Sequence, residues 1–473
     1  MINLRDHYNK VAEERHIWFK RHSYYHDDIL GYCNFFINSD SSILELGCGM
    51  GNLIGRLKPK RGVGVDVSDK MVERAREEFP NIEFICADVE FFESQEKFDY
   101  IIISGTLGTV KNIQTFFQRI RRFCTSDTRI IITHYNELWG PIIQLAEKYR
   151  LKMPECNFNW LSIDDVENFL SISGYKPIRR DFRLIFPYNI PIISFLFNQI
   201  LTKVPIIRRL ALAQCLVGSL NAPPDHIEDQ SVSIILTCRD EEENIEGLVT
   251  GIPNIGKRTE IIFVEGHSKD GTVAKIEEMI KNYPQKDIKL YKQKGKGQGD
   301  AFHLGCEKAQ GDFLCWMEAD LTIPPEEIKL FWDAYRLGMG EYINGTRFIY
   351  KMEKKAMPFS NFIGNRFFGN VFTMILQQRF TDTLCGYKAI SKKNYEKTRK
   401  QINFFGDFDP FGDFELIFGA VKNNLKVVEI PVHYRPRNYG QPKAYGKGFV
   451  SFLKHALILM KMSWIAFRKF KFF

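Results

Sequence analysis

GDFLCWMEADLTIPPEE, Gly311 to Glu327, decides how the second half of this chain folds. Phe313 to Met317 is a short apolar run that predicts a buried strand, and Pro324 and Pro325 followed by acidic residues predict the start of a helix. Glu318 and Asp320 therefore fall at the carboxyl end of a strand. In an open α/β sheet ligands bind at that end, and two carboxylates two residues apart can hold a divalent cation that also grips a diphosphate. A surface turn with incidental acids explains the tripeptide alone equally well, so the neighbouring segments carry the decision.

Upstream, SVSIILTCRDEEENI predicts a buried strand over Val232 to Thr237 that runs into Arg239, Asp240 and Glu241. TEIIFVEGHSKDGT repeats the pattern, with a strand to Val264, then Glu265, Gly266 and a loop to Asp270, Gly271 and Thr272 that should cap the next helix. YKQKGKGQGDAFHLG, which contains Lys296, is a lysine and glycine loop placed to meet phosphate. Acids after three strands of one sheet converge on a nucleotide crevice.

The first half has its own crevice. Residues 1 to 38 carry aromatics and charges at helical spacing and predict two covering helices. In SSILELGCGMGNL a strand over Ile43 to Leu46 leads into Gly47, Gly49 and Gly51, a turn on which no side chain blocks a ligand before a helix begins. About twenty residues on, GVGVDVS places Asp66 at the end of a second strand, where a carboxylate can accept both hydroxyls of a ribose. FICADVE places Asp88 at the end of a third strand, and FDYIIISGTLGTV supplies a fourth. Ser104, Thr106 and His134 lie on segments that should face this crevice, and a lone His such as His134 is more often structural than a general base.

At 473 residues the chain is too long for one ordinary core, and its 44% apolar and 26% charged content is that of a folded soluble protein. No run of apolar residues reaches the length of a membrane span, and the N-terminus has no apolar signal region. Ten cysteines without CxxC pairs predict reduced thiols in the cytoplasm. The net charge of +8 is local: residues 433 to 473 hold nine Lys or Arg and no acid, leaving 56 basic against 57 acidic side chains elsewhere. An anionic membrane surface suits that tail better than nucleic acid, for which no reader motif is present.

The N-terminal motifs resemble the class I S-adenosylmethionine-dependent methyltransferases, whose glycine motif has an acid two residues before the first glycine, as Glu45 stands here. The third glycine comes one residue earlier than in the GxGxxG of a nicotinamide-binding domain. The resemblance covers about residues 1 to 185 and implies a seven-stranded Rossmann-like sheet. It implies that Glu45, Gly47, Gly49 and Gly51 line the methionine portion of S-adenosylmethionine, that Asp66 holds the ribose, and that Asp88 and Val89 contact the adenine.

The C-terminal motifs, together with GTR at Gly345 to Arg347, DTLCGYKAI at Asp382 to Ile390 and YRPRNYGQPK at Tyr434 to Lys443, resemble glycosyltransferase family 2. Within it they are similar to the polyprenyl-phosphate sugar synthases such as dolichyl-phosphate mannose synthase. The resemblance covers about residues 231 to 445 and implies a GT-A fold. It implies donor contacts from Thr237, Arg239, Asp240, Glu241, Glu265, Lys296, Glu318 and Ala319, and Mg²⁺ or Mn²⁺ held by Glu318 and Asp320. The family's DxD appears here as EAD and its DDGS loop as VEGHS; glutamate also ligates such ions through oxygen. Asp413 and Glu415 stand where many members keep a base for a hydroxyl acceptor, whereas a lipid phosphate acceptor needs none. Arg347, Arg435 and Arg437 are placed as phosphate clamps.

Residues 186 to 230 are an apolar, basic segment and a linker. Its runs, broken by Pro191 and Pro205, suit either an interfacial helix pair or a domain-packing surface. The C-terminal stretch from Gly446, with residues 449 to 473 as its tail, predicts a basic amphipathic helix, with Phe449, Phe452, Leu453, Ala456, Leu457, Met460, Trp464 and Phe467 along one face and Lys447, Lys454, Lys461 and Arg468 recurring every seven residues on the other. The expectation is therefore an α/β fusion: a methyltransferase-like domain to residue 185 and a family 2 domain over 231 to 448. It would be attached peripherally to the cytoplasmic face of a membrane and transfer a sugar from a nucleotide sugar to a polyprenyl phosphate. The alternative is a hydroxyl acceptor in glycan assembly, with the N-terminal domain a cofactor-binding regulatory module.

Overall fold

Two seven-stranded mixed sheets organise the chain, one in each of two units, Met1–Asn221 and Ala222–Phe470. The computed structural model describes residues 3–155, 159–352, 356–400, 412–437, 439 and 449–470, the side chains of 413, 449–452, 454 and 455 excepted.

The first sheet comprises β1 (Ser42–Leu46), β2 (Arg61–Asp66), β3 (Glu83–Cys86), β4 (Tyr100–Ser104), β5 (Arg129–Tyr135), β6 (Tyr175–Arg183) and β7 (Ala213–Leu220). Their spatial order is β3-β2-β1-β4-β5-β7-β6. β1 to β5 run parallel, and β7 is antiparallel to both β5 and β6. Ile101 to Ile103 and Ile130 to Ile132 are wholly buried, as expected of central parallel strands covered on both faces. The two predicted N-terminal helices are Leu4–Arg21 and Ser23–Phe36.

The unit does not end near residue 185 as the sequence predicts. β7 comes from the segment read as an apolar surface and linker, and it fills the gap between β5 and β6. AQCLVGSL is a short apolar run, and periodicity alone does not distinguish a buried strand from a packing helix.

The second sheet comprises β8 (Val232–Cys238), β9 (Thr259–Glu265), β10 (Asp287–Lys292), β11 (Phe313–Glu318), β12 (Tyr342–Thr346), β13 (Lys388–Ser391) and β14 (Val427–Pro431), in the order β10-β9-β8-β11-β13-β12-β14. Only β13 runs antiparallel to its neighbours. β9, β8 and β11 are adjacent, so their carboxyl ends form one edge. The C-terminal helix, Phe449–Phe470, packs against helix Phe359–Leu376 and buries Leu459, Met462, Ala466 and Phe470. Leu453, Leu457, Met460 and Trp464 remain exposed. Among the described residues no helix is long and apolar enough to cross a membrane.

Candidate functional site

In the first unit the glycine turn is locked to β2 before any ligand arrives. The Gly47 and Cys48 amides donate to the Val65 carbonyl at 2.7 and 3.0 Å. The Gly49 amide donates to one Asp66 oxygen at 2.7 Å and the Ser68 amide to the other at 3.0 Å. Gly47 has φ +83°, and a Cβ there would lie 2.1 Å from Thr106 Oγ1, so only glycine fits. Gly51 serves packing, since a Cβ would meet the Phe84 ring at 2.6 Å.

A cavity of about 1030 Å³ opens beside this turn. Glu45, Gly47, Asp66, Asp88, Val89, Ser104 and Thr106 line it, whereas Gly49 and Gly51 shape the turn without themselves being among its wall residues. Aromatic side chains from the covering helices and from β5 onward, including Trp18, Tyr25, Tyr135, Trp139 and Phe186, form its other wall. Glu45 is 3% exposed, and its Oε2 accepts from the Ile54 amide at 3.0 Å. Burial pushes its carboxyl up to about 8, against that hydrogen bond. Burial also raises Asp66, opposed by its backbone donors.

His134 is not part of this cavity. Tyr135 lines it, and in an extended strand the preceding side chain points to the opposite face. His134 is buried opposite Gln214 of β7, and burial pushes its imidazole down to about 4. It therefore cannot serve there as a base.

In the second unit the strand ends meet as the sequence predicts. Across the sheet Cys238 lies opposite Glu265 and Thr237 opposite Glu318, so Asp240, Glu241, Glu265, Glu318 and Asp320 emerge from three adjacent strands. Asp240 adopts φ +50° and its Oδ1 accepts from the Lys269 amide at 2.7 Å. Glu265 accepts from the Ser268 amide, and the His267 ring reaches the Gly295 carbonyl at 3.0 Å. The VEGHS loop is thereby tied to the lysine and glycine loop. Gln298, which sequence reading passed over, donates to Glu318 Oε1 at 2.9 Å. Ala319 is buried between the two acids, while Arg239 and Lys296 are exposed.

The three arginines separate. Arg437 bridges the crevice, donating to Glu241 Oε1 at 3.0 Å and to Asp320 Oδ2 at 2.6 Å. Burial opposes its charge, but Asp320 and Glu241 outweigh that and raise its pKa. Tyr439 reaches Asp270 at 3.3 Å from the same segment. Arg435 anchors that segment through its backbone amide, which donates to the Thr322 carbonyl at 2.8 Å, and its side chain is exposed. Arg347 is not a clamp in this structure: it is buried and donates twice to Asp382, at 2.6 and 2.8 Å. Its task here is to hold the DTLCGYKAI segment against β12.

Glu415 likewise is not poised as a base. It accepts from Arg399 at 3.0 Å and lies 3.0 Å from His303 Nε2, whose other ring nitrogen meets the Tyr395 hydroxyl at 2.8 Å. Asp413 begins helix Asp413–Lys422, and its side chain lies outside the described residues.

Carboxylate oxygens of Glu318 and Asp320 suit a hard cation such as Mg²⁺, which is commonly held by one or two carboxylates plus substrate phosphates. Arg437 already places a positive charge on Asp320. Among the described residues no group of three or more His, Cys, Asp or Glu is arranged to hold a metal unaided.

Residues 233–399 match the family described as glycosyl transferase family 2, and residues 37–172 match a methyltransferase domain family. The chain is 30% identical to a dolichol-phosphate mannosyltransferase of Pyrococcus furiosus over 49% of this chain and 64% of that protein, so it spans under two thirds of that relative. A polyprenol monophosphomannose synthase of Mycolicibacterium smegmatis is 23% identical over 46% of this chain and 82% of its own length. A dolichol-phosphate mannosyltransferase of Saccharomyces cerevisiae is 24% identical over 47% and 84%. A solved SAM-dependent methyltransferase of Thermotoga maritima aligns at 15% identity over 46% of this chain and 99% of its own, with a TM-score of 0.36.

Proposed function

We propose, for a chain that joins a methyltransferase domain to a family 2 glycosyltransferase domain, that it is bifunctional. The second unit moves a sugar from a nucleotide sugar to a polyprenyl phosphate with inversion, and the first binds S-adenosylmethionine and transfers its methyl group. The observation that carries the first activity is the row of Asp240, Glu241, Glu265, Glu318 and Asp320 along three adjacent strand ends, spanned by Arg437. The similarity to dolichol-phosphate and polyprenol-phosphate mannosyltransferases supports the acceptor.

The donor's base and ribose lie against Asp240, Glu241 and Glu265, with its diphosphate toward Asp320. A lipid phosphate oxygen attacks the anomeric carbon in line while the bond to the diphosphate breaks, and the electron pair leaves with the diphosphate. Arg437 transfers its two donors from carboxylates to phosphate oxygens, and Lys296 adds charge from the facing loop. A divalent cation at Glu318 and Asp320 would supply further neutralisation of the leaving group. The acceptor is already an anion, so no base is required; the engagement of Glu415 by Arg399 and His303 is consistent with that and disfavours a hydroxyl acceptor.

The chain would work at the cytoplasmic face of a membrane. Exposed Leu453, Leu457, Met460 and Trp464 offer an apolar stripe, beside which Lys461 and Arg468 can meet anionic head groups. Assay of the purified chain against a panel of nucleotide sugars, with and without polyprenyl phosphate, tests the transferase. Transfer only to water or to free sugars would refute it. Calorimetry with S-adenosylmethionine tests the first unit; Asp66→Ala should weaken binding by the loss of two ribose hydrogen bonds, each worth about 1.5–3 kcal/mol. No binding by the folded wild-type chain would remove the methyltransferase reading.

A further inference from the structure

The cavity of the first unit is at the upper end of the size of small-ligand pockets, and part of its boundary is apolar and exposed. Small-ligand pockets commonly hold about 300–1,000 Å³, and this one reaches about 1030 Å³. Its cofactor end is polar, at Glu45, Asp66 and Asp88. Its opposite end is bounded by Ile142, Leu151 and Tyr188, which line the cavity and are at the same time more than half exposed. They form an apolar rim, and Lys152 and Glu155, which also line the cavity, are paired with each other at 3.3 Å.

The apolar surface continues outward from that rim. Ser194 Oγ donates to the Tyr188 carbonyl at 2.6 Å and accepts from the Ile190 amide at 2.8 Å, tying Tyr188 and Ile190 to the short helix Pro191–Phe195, on which Ile192 is 84% exposed. Asn198 fixes this segment to the body, bonding both the amide and the carbonyl of Phe186. On the other side the Trp139 indole, itself a cavity wall, donates to the Leu210 carbonyl at 2.9 Å, and four residues earlier Ile206 is 83% exposed. Residues 182–220 contain no Asp or Glu, and Arg209 is exposed among these apolar side chains. Over residues 182–220 the exposed apolar side chains are thus accompanied by cationic and no anionic groups, which complements an anionic lipid surface.

We infer that the methyl acceptor of the first unit is a lipid-borne molecule, whose head group enters the cavity while its chain stays along the rim in the bilayer. The inference rests on the reading that the polar end holds S-adenosylmethionine. In the transfer a head-group nucleophile bonds to the methyl carbon as the carbon–sulfur bond breaks. The pair returns to sulfur, giving neutral S-adenosylhomocysteine, and any proton on the nucleophile passes to solvent.

The test is hydrogen exchange of the full chain with vesicles of phosphatidylglycerol and phosphatidylcholine, read by segment, alongside calorimetry with S-adenosylmethionine. Amides of residues 138–149 and 186–210 should exchange at least tenfold more slowly on vesicles. Ile192→Glu with Ile206→Glu, both highly exposed and so neutral for folding, should abolish that protection while leaving S-adenosylmethionine affinity within twofold and any protection of residues 449–470 intact. Cofactor binding without protection of the two segments overturns the inference alone. Protection that follows protein concentration without vesicles assigns the surface to a second copy and also overturns it. Failure to bind S-adenosylmethionine removes the cofactor reading, and the inference with it.

Discussion

Arg437 holds Asp320 by a 2.6 Å hydrogen bond, joining residues 117 positions apart. A guanidinium thus occupies the carboxylate that the proposed cation would use, so on the proposed function the two compete for Asp320. Arg437→Met removes the competitor, a charge-assisted bond worth about 1.5–3 kcal/mol. Mn²⁺ affinity without donor, read by electron paramagnetic resonance, should tighten at least tenfold while sugar transfer slows at least tenfold. Unchanged Mn²⁺ affinity would show that the arginine and the ion do not compete.

Glu415 and Asp320 separate the two acceptor chemistries. With a phosphate acceptor, Glu415→Gln and Asp413→Asn should retain turnover within a few-fold, whereas Asp320→Asn should lose most of it. Glu415→Gln should nevertheless lower stability by about 1–3 kcal/mol, because Arg399 and His303 lose a charged partner. A loss of turnover in either of the first two variants as large as that of Asp320→Asn would point to a hydroxyl acceptor instead.

Burial holds the Glu45 carboxyl at about 8, above its ordinary 4.5. Since the folded chain binds this proton more tightly than the unfolded one, Glu45's contribution to stability is fully present below pH 4.5 and is lost as pH rises through about 8. Glu45→Gln should flatten that slope in urea melts. A cationic ligand beside Glu45 favours the carboxylate, so S-adenosylmethionine binding at pH 7 should release a proton and tighten from pH 6 to 8. Calorimetry in buffers of different ionisation enthalpy reads the proton directly; identical enthalpies would count against contact with Glu45.

The C-terminal helix has two sets of apolar side chains, one buried and one exposed. Leu457→Glu and Trp464→Glu, at 57% and 59% exposure, should reduce sedimentation with anionic vesicles and activity on long-chain acceptor while sparing melting temperature and donor binding. High salt should weaken the electrostatic part, since such charges are screened over about 8 Å at physiological ionic strength. Leu459→Ala should do the reverse, costing about 2–4 kcal/mol of stability from a buried site with little effect on vesicle binding. Vesicle binding unaffected by the first pair would assign attachment elsewhere.

The strands that lead into both crevices were legible in the chain because their signals are local. Val232 to Thr237, Phe313 to Met317 and Ile43 to Leu46 are apolar runs ending in acids or glycines, and a strand carries its next residues to its carboxyl edge whatever surrounds it. The amphipathic tail was legible for the same reason, although its pattern could not say that Leu459 and Met462 would be covered while Leu457 and Trp464 stayed open.

What the sequence alone could not determine depends on partners distant in the chain. Arg347 reads as a phosphate clamp until Asp382, 35 residues on, takes its donors, and Glu415 reads as a base until His303, 112 residues back, lies against it. Ala213 to Leu220 reads as part of an interfacial helix pair or a packing surface until the gap between β5 and β6 receives it as a strand. His134 and Tyr135 are neighbours of which only one lines the cavity, a choice made by the register of β5 against β7. Local pattern specifies where a strand ends and what stands there; which charges neutralise one another is set by tertiary packing, because an ion pair depends on distance in space and on burial, neither of which sequence separation measures.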